Sequence, residues 1–387
     1  MTWLLAGEAK KRYTCQRMIK HKSHTTKGTN TQASSTVLSK TRPAAIKLGL
    51  DVHADSIVVV RIVDNSGPQP PQKFTRTQFL TWVEGQLGQA REVYSCYETG
   101  SFGFGLHREL EALGVRNVVV QGANLDERHT RVNHDASDAR ELALRLDRYV
   151  AGNRHALAIV RVPTPEQEQR RAESRQREQV RRSRQRAATQ GRTLLLNQGY
   201  RESNNWWQPR RWERLLPQLP PWLAELLQNW MEQIEVQNRI LQKLTTRLEK
   251  AAETVRPKGL GGLTSEVINR EVVDWSRFHN RRQVASYTGL CGGVSASGPS
   301  RRDLSITKHG NTRLRAALIE LAWRMVLWQS QSRLVQRWKG VLFNPRATGA
   351  ARKKAIVALA RQLAVDLWRW HTGRVKPEDL GWIMAEA

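Results

Sequence analysis

The sequence predicts an α/β sheet domain followed by a coiled coil, and three observations predict this order. Short β-branched runs alternate with amphipathic segments from residue 44 to about residue 150, which is the pattern of an α/β sheet. A highly charged helix follows Pro163. Beyond Pro221, apolar residues recur at alternating spacings of four and three, which is typical of a coiled-coil seam.

The first two predicted strands form a hairpin. Residues 46–51 are a short apolar run that ends in Asp51, and residues 56–63 are β-branched and end at the turn-forming segment 64–68. The remaining predicted elements are, in order, a helix over 79–87, a strand over 93–98, an amphipathic helix over 106–113 and a strand over 117–120. A further helix over 134–147 carries Asp135 and Asp138 three residues apart, so both lie on one face.

The chain is strongly basic. It has 63 Lys and Arg against 35 Asp and Glu in 387 residues, a formal net charge of +28. This charge favours a polyanion such as nucleic acid over a neutral small molecule. We expect a cytoplasmic protein without a membrane partner, because no segment is apolar enough to span a bilayer and no secretion signal opens the chain. Three distant cysteines, Cys15, Cys96 and Cys291, give neither zinc nor disulfide spacing.

Four carboxylates stand out in this basic chain. Asp51 and Glu98 end two neighbouring predicted strands, and Asp135 and Asp138 share a helix face. Carboxylates so arranged can hold two Mg²⁺ or Mn²⁺ ions roughly 3.5–4 Å apart, which activate an attacking oxygen and stabilise a leaving one. Hard oxygen ligands favour these ions over zinc. Each residue taken alone is more commonly a turn, cap or solvated residue, so the hypothesis depends on the set of four.

Two helical segments follow. The helix after Pro163 is rich in arginine, including Arg181 and Arg182, which suits either a phosphate backbone or a solvated coiled-coil face. The predicted seam after Pro221 consists of Leu223, Leu227, Trp230, Ile234, Gln237, Leu241, Leu244 and Leu248. The pattern leaves open whether this seam closes within one chain or between chains. Between the helices, Trp206 and Trp207 alternate with arginines and either stack on unpaired bases or pack at a helix corner.

The last informative stretch begins at the glycine-rich segment 257–264, either an interhelix turn or a phosphate-gripping loop. Small residues around Ser297 are followed by Arg301, Arg302, Lys308, Arg313 and Arg315, which predicts a hydroxyl in a cationic loop. A serine before glycine is by itself ordinarily a turn residue.

Several motifs resemble those of the bacterial insertion-sequence transposases of the DEDD type. They are Glu98-Thr-Gly, the segment 131–139, the segment 287–290, Ser297-Gly298 and the segment 306–311. The resemblance runs in order from Ile46 to about Trp323. It implies a RuvC-like domain of the RNase H fold, then a coiled coil and a mainly α-helical C-terminal domain that supplies a serine.

The resemblance also implies roles for individual residues. Asp51, Glu98, Asp135 and Asp138 would bind the metal ions, and Ser297 would form a transient phosphoserine link to a cut strand. Ser295 and Ser300 flank Ser297, which is preferred because Gly298 follows it. The expected partners are element-end and target DNA, a structured guide RNA and further copies of the chain in a dimer or tetramer.

The predicted domain organisation follows from these motifs. It comprises a basic flexible arm over 1–43, the catalytic domain over 44–160, a coiled-coil region with its Trp-rich insert over 161–255, the serine-bearing domain over 256–345 and a C-terminal basic helix over 346–387. Two alternatives stay open. One is a DEDD nuclease or junction resolvase that uses water as its nucleophile, and the other is an inactive transposase that only binds nucleic acid.

Overall fold

The computed structural model describes residues 42–122, 135–297 and 300–385. Its chain divides into two units, residues 1–160 and 161–387, which are described separately. The predicted basic arm over 1–43 lies almost entirely outside the described residues. Among the helices that the structure describes, none combines the length and the apolar composition that crossing a bilayer requires.

The first unit is built on a five-stranded mixed sheet. Its strands are β1 (Ala45–Val52), β2 (Ile57–Val63), β3 (Gln72–Phe74), β4 (Glu92–Glu98) and β5 (Arg116–Val120). The spatial order is β3-β2-β1-β4-β5, in which β1 runs antiparallel to β2 and parallel to β4, and β4 runs parallel to β5. The predicted α/β sheet and its opening hairpin are confirmed. The short edge strand β3 was not predicted, because its three residues include only one apolar side chain and are too few to show an alternating pattern.

Within residues 42–122 and 135–160, three helices accompany the sheet: α1 (Arg76–Gln89), α2 (Gly105–Ala112) and α3 (Asp135–Val150). Thr75 and Gln78 form a capping box that starts α1. The face of α3 that carries Ala139, Leu142, Ala143 and Leu146 is buried, as its helical spacing predicts. It packs on β1, β2 and β4 and forms the core over this side of the sheet.

The second unit is mainly helical. Its helices are α4 (Pro165–Asn197), α5 (Pro209–Leu215), α6 (Pro221–Lys250), α7 (Gly262–Val272), α8 (Arg281–Thr288), α9 (Thr312–Trp328), α10 (Arg333–Gln336), α11 (Lys339–Leu342) and α12 (Gly349–His371). The long helices α4 and α6 pack along each other within one chain. Six of the eight predicted seam residues on α6 are buried, and Trp230 and Gln237 are partly buried.

The C-terminal half of this unit has one core, to which α7, α8, α9 and α12 contribute. The segment predicted as a separate basic helix contains α12, which buries Ile356, Leu359 and Leu363 in that core. A hairpin of β6 (Gly292–Ser297) and β7 (Ser300–Ile306) stands where the sequence predicted a cationic loop. We call residues 292–306 the serine hairpin. Its strands are mostly exposed, so they lack the apolar alternation by which a half-buried strand is predicted.

Candidate active site

The end of β1 lies directly beneath the first turns of α3. A Cβ atom added to Gly49 would lie 2.2 Å from the Ala139 carbonyl oxygen and 2.3 Å from the Ala143 nitrogen, which no side chain allows. Glycine therefore permits the helix backbone to touch the strand. Asp51 follows Gly49 by two residues, so its side chain leaves the same face of the sheet as α3. This close approach brings Asp51 to the part of α3 that begins with Asp135.

Asp51, His53 and Asp135 meet at this end of the sheet. The His53 Nε2 atom lies 3.1 Å from Asp51 Oδ2 and 3.3 Å from Asp135 Oδ2. One ligand atom from each of the three residues lies within 4.8 Å of the others, which is close enough for one metal ion. His53 is not among the residues predicted for this site. Its position two residues after Asp51 in a strand end was the available signal, because residues two apart point to one side.

Glu98 ends the neighbouring strand β4. Burial raises the pKa of its carboxyl group, and the charges of Asp138 and Asp51 raise this pKa further, while Arg145 lowers it. The Glu98 Oε1 atom is buried and has no hydrogen-bond partner among the described residues. A buried acceptor without a partner costs about 1–3 kcal/mol, and more if it is charged. A bound cation would remove that cost.

The four predicted carboxylates thus form one electrostatic group, which we call the acidic cluster. Burial raises the pKa of Asp51, with an opposing effect from His53 and a further rise caused by the charge of Asp135. Asp138 affects Glu98 from one helical turn beyond Asp135. Repulsion among like charges and an orphaned buried oxygen are the properties of a site that holds cations. The four carboxylates supply the hard oxygen ligands that suit Mg²⁺ or Mn²⁺.

The predicted nucleophile lies on the serine hairpin of the second unit. Ser297 is the last residue of β6 and pairs with Ser300, the first residue of β7. The side chain of Ser297 and the whole of Gly298 lie outside the described residues. Ser295 pairs with Arg302 and is exposed, as are Ser300, Arg301 and Arg302. Arg301 and Arg302 are therefore accessible to a bound phosphate.

The segment 306–311 is a loop held by specific backbone contacts. A Cβ atom at Gly310 would lie 2.6 Å from the Tyr287 carbonyl oxygen, and the φ of this glycine is +131°. Arg315 donates from Nη1 to the carbonyl oxygens of Thr288 and Lys308, at 3.1 and 3.2 Å. Lys308 itself is exposed. Arg315 thus binds the loop backbone, and the Arg313 Nε atom is buried without a partner among the described residues.

Asn311 anchors the same loop to the helical core. Its Oδ1 accepts from the backbone nitrogens of Arg313 and Leu314 and so caps α9. Its Nδ2 donates to Glu271 Oε2 at 2.7 Å. Glu271 also accepts two hydrogen bonds from Arg175, both at 2.9 Å. Burial raises the pKa of Glu271, but these hydrogen bonds outweigh it and lower the pKa overall.

Several side chains that were predicted to contact nucleic acid, on α4 and in the Trp-rich segment after it, instead contact other residues of the chain. Arg181 and Arg182 both donate to Glu178, and the hydrogen bond from Arg181 is the main cause that lowers the pKa of Glu178 to about 2. Trp206 is fully buried, and its Nε1 donates to the Ala188 carbonyl oxygen at 2.8 Å. Of the two alternatives left open for Trp206, the structure therefore favours packing at a helix corner over stacking on bases, because the ring is buried against Gly191. Trp207 is partly buried beneath the Arg184 guanidinium.

The fold and the site together define the class of protein. Its members would have a mixed α/β unit with an acidic cluster that can hold metal ions at the end of the sheet, followed in the chain by a basic helical unit. Residues 256–337, which include the serine hairpin, match the model of the transposase IS116/IS110/IS902 family.

Three relatives extend the match. The protein y4rJ of Sinorhizobium fredii (strain NBRC 101917 / NGR234), assigned as a transposase, is 32% identical in an alignment over 304 residues that covers 70% of this chain and 75% of that protein. The protein y4qE of the same strain, also assigned as a transposase, is 29% identical over 71% of this chain and 74% of its own length. The transposase for insertion sequence element IS1533 of Leptospira borgpetersenii is 24% identical over 72% of this chain and 85% of its own length. This chain belongs to the IS116/IS110/IS902 family of transposases.

Proposed function

We propose that this protein is an insertion-sequence transposase that cuts and rejoins DNA strands with divalent metal ions bound by Asp51, Glu98, Asp135 and Asp138. Membership in the transposase family supplies the class of substrate. The observation that carries the assignment of the site is the acidic cluster, in which the buried Glu98 Oε1 has no partner among the described residues. A chain of net charge +28 has little reason to converge carboxylates except to hold cations.

The proposed fold assignment rests on the topology of the first unit. A sheet of order β3-β2-β1-β4-β5, with β2 antiparallel to the other long strands, is consistent with the RuvC-like, RNase H fold that the resemblance implies. In this arrangement the carboxyl ends of the parallel strands β1 and β4 meet at one edge. Asp51 and Glu98 occupy that edge, which is where ligand sites of sheets with parallel strands lie.

The acidic cluster would act on the scissile phosphodiester in two ways. Mg²⁺ or Mn²⁺, when bound, supplies positive charge that polarises the phosphate and stabilises the departing 3′ oxygen. Asp51 and Asp135 would hold one side of this site, with Glu98 and Asp138 on the other. His53 bridges Asp51 and Asp135 and would fix their orientation, or bind as a further ligand through its neutral ring nitrogen.

Ser297 would be the nucleophile. Its Oγ atom would attack the phosphorus, form a phosphoserine ester and release the 3′ oxygen, which takes up a proton. Attack by the 3′ hydroxyl of another strand would reverse the step, so the ester conserves the energy of the broken bond. Arg301, Arg302 and Lys308 are exposed on and beside the serine hairpin and would bind the phosphate charge.

The guide RNA and the oligomer are also part of the proposal. The family resemblance supports a structured RNA that pairs with donor and target DNA, and a dimer or tetramer in which the acidic cluster and the serine come from different chains. The chain has 63 basic residues against 35 acidic ones, and this excess of positive charge supports binding of such polyanions.

The test of the metal site is strand cleavage of labelled element-end DNA with Mg²⁺ and the RNA encoded beside the element. We expect Asp51→Asn to lower the cleavage rate at least a thousandfold, since it removes a metal ligand. Asp55→Asn, an exposed carboxylate four residues away, is the matched control and should cleave normally. Equal activity in the two variants, or cleavage that persists in EDTA, would reject a metal site at Asp51.

A further inference from the structure

A groove of about 930 Å³ lies on the second unit, between the first turn of α8, the base of the serine hairpin and one face of α12. The basic side chains that line it are Arg281, Arg282, Arg337, Lys353, Lys354 and Arg361, and its acidic residue is Asp303. We call this the basic groove. Lys353 and Arg361 lie on one side of α12 because they are separated by about two helical turns.

The cations of the basic groove are not neutralised. All six side chains are exposed, and none forms an ion pair within the part of the chain that the structure describes. Elsewhere in the same unit, arginines pair with carboxylates, as Arg175 does with Glu271 and Arg270 with Glu266. Such a concentration of like charge repels itself and attracts a polyanion.

Arg281 and Arg282 lie at a position that destabilises helix α8 when no ligand is bound. Arg281 and Arg282 open α8, where Asn280 caps the backbone nitrogens of Arg282 and Gln283. The N-terminus of a helix carries partial positive charge, so basic residues there oppose the helix dipole. An anion bound in the groove would reverse the sign of this interaction.

The floor of the basic groove is apolar. Leu290 and Val365 are buried there, and Trp338, Val357 and Ala358 are partly buried. A duplex turns its phosphates outward and its base faces inward, so it would leave this floor unused. An unpaired strand offers both phosphates for the cations and base faces for an apolar, aromatic surface.

We propose that the basic groove binds an unpaired stretch of nucleic acid, with its phosphates against the six cations and its bases against the apolar floor. The biological role of this site rests on the proposed function. Gly292 and residues 303–306, which form the base of the serine hairpin, are part of the groove wall. A strand in the groove would therefore be held beside the hairpin that carries Ser297.

The test measures binding alone. Fluorescein-labelled oligothymidylate is titrated with the full chain in EDTA at about 0.1 M salt, and its anisotropy is recorded. Lys353→Gln/Lys354→Gln/Arg361→Gln removes three of the proposed phosphate contacts, each of which contributes about 0.7 to the slope of log Kd against log salt for a single strand. At about 0.1 M salt, the loss of all three should raise Kd roughly fifty- to a hundredfold. Arg239→Gln/Lys243→Gln/Lys250→Gln removes the same charge from exposed residues of α6 and should change Kd less than threefold.

Further arms separate the contributions. Arg281→Gln/Arg282→Gln removes charge from the part of the groove that α8 lines and should also weaken binding, about tenfold, which guards against a local effect on α12. A duplex of equal length and an abasic oligonucleotide should bind at least fivefold more weakly than oligothymidylate. Comparison with oligouridylate shows whether the preferred strand is DNA or RNA, and preference for either supports the site.

Equal weakening by the groove and control variants would overturn the proposal, because binding would then follow total charge. Duplex bound as tightly as the single strand, or no effect of the groove variants that fold normally by circular dichroism, would also overturn it. These experiments need neither metal nor Ser297. Failure of the proposed chemistry would therefore leave a positive binding result intact, and a negative one would leave the chemistry intact.

Discussion

Glu98 is the residue whose surroundings most strongly favour a bound cation. It ends a strand whose interior is buried, and its Oε1 atom finds no hydrogen-bond donor among the described residues. Its pKa is raised by burial and by Asp138 and Asp51. A carboxylate with a raised pKa destabilises the fold when it is ionised at neutral pH. Metal binding and protein stability are therefore linked at this residue.

We predict that Glu98→Gln raises the apparent Tm in EDTA by roughly 2–4 °C, equivalent to about 1 kcal/mol, because it removes the repelled charge. We expect Mg²⁺ to raise the Tm of the unchanged protein, and the same change should abolish that rise. Thermal unfolding followed by circular dichroism, with and without Mg²⁺, measures both effects. Glu84→Gln, an exposed glutamate on α1, is the control and should leave both values unchanged. A lower Tm in EDTA for Glu98→Gln would contradict the interpretation.

Single residues were predictable from the sequence only where a motif singled them out. The strand-end positions of Asp51 and Glu98 and the helix-face positions of Asp135 and Asp138 follow from local pattern. His53 was missed because it lies beyond the apolar run, and only the packing of α3 on β1 brings it between two carboxylates. Trp206 was ambiguous because the space beside Gly191, which encloses its ring, lies on the preceding helix α4, and only the fold shows that the chain packs back onto that helix.

At the scale of elements, the contact between β1 and α3 determines whether the acidic cluster can form. Gly49, Ala139 and Ala143 are small residues on the two facing surfaces, and no Cβ atom fits at Gly49. Any larger side chain must push α3 away from the strand, and Asp135 and Asp138 would move with it.

We predict that Gly49→Ala destabilises the protein by about 3 kcal/mol or more, since the clash involves backbone atoms that cannot move aside. Mg²⁺ should stabilise the variant less than it does the unchanged protein. Urea unfolding with and without Mg²⁺ gives both numbers. Gly88→Ala on α1 meets nothing within 4 Å and should be neutral or slightly stabilising. Equal behaviour of the two variants would show that α3 does not pack as described.

The loop over 306–311 is a second element whose contacts have measurable consequences. Asn311 both caps α9 and donates to the buried Glu271. We predict that Asn311→Ala costs about 2–4 kcal/mol, because it removes a cap and one hydrogen bond of a buried carboxylate. Asn280→Ala removes only the cap of α8 and should cost about 1 kcal/mol. Denaturant unfolding of the two variants measures the difference, and equal costs would exclude a role for the Glu271 contact.

Elements were predictable where a periodic pattern marks a buried face. The strands β1 and β2 of the first unit and the buried face of α3 follow from such patterns, whereas β3 does not. The serine hairpin could not be predicted in this way, because its strands are mostly exposed. They are recognised as strands by their pairing with each other and not by a buried face. The basic groove was also missed, since Arg281, Arg337 and Lys353 are far apart in sequence and only the fold gathers them.

At the scale of the whole molecule, net charge and the acidic cluster have separable effects. The +28 charge should drive binding of nucleic acid without metal, whereas strand cleavage should require the cluster and its ions. We predict that EDTA abolishes cleavage but changes the Kd for element-end DNA less than about threefold. Filter binding and a cleavage assay on one protein preparation test this. Loss of binding and cleavage together would mean that the metal supports folding or DNA binding rather than chemistry.

The covalent bond between Ser297 and DNA is the step that sets the proposed function apart from that of a nuclease. The most direct measurement is denaturing electrophoresis of the protein with Mg²⁺, its flanking RNA and end-labelled element-junction DNA, for the unchanged chain and for Ser297→Ala, Ser295→Ala and Ser300→Ala. We expect a label that migrates with the protein in every sample except Ser297→Ala. Free nicked DNA in all four samples, with no protein-bound label, would contradict it and indicate a nuclease that uses water.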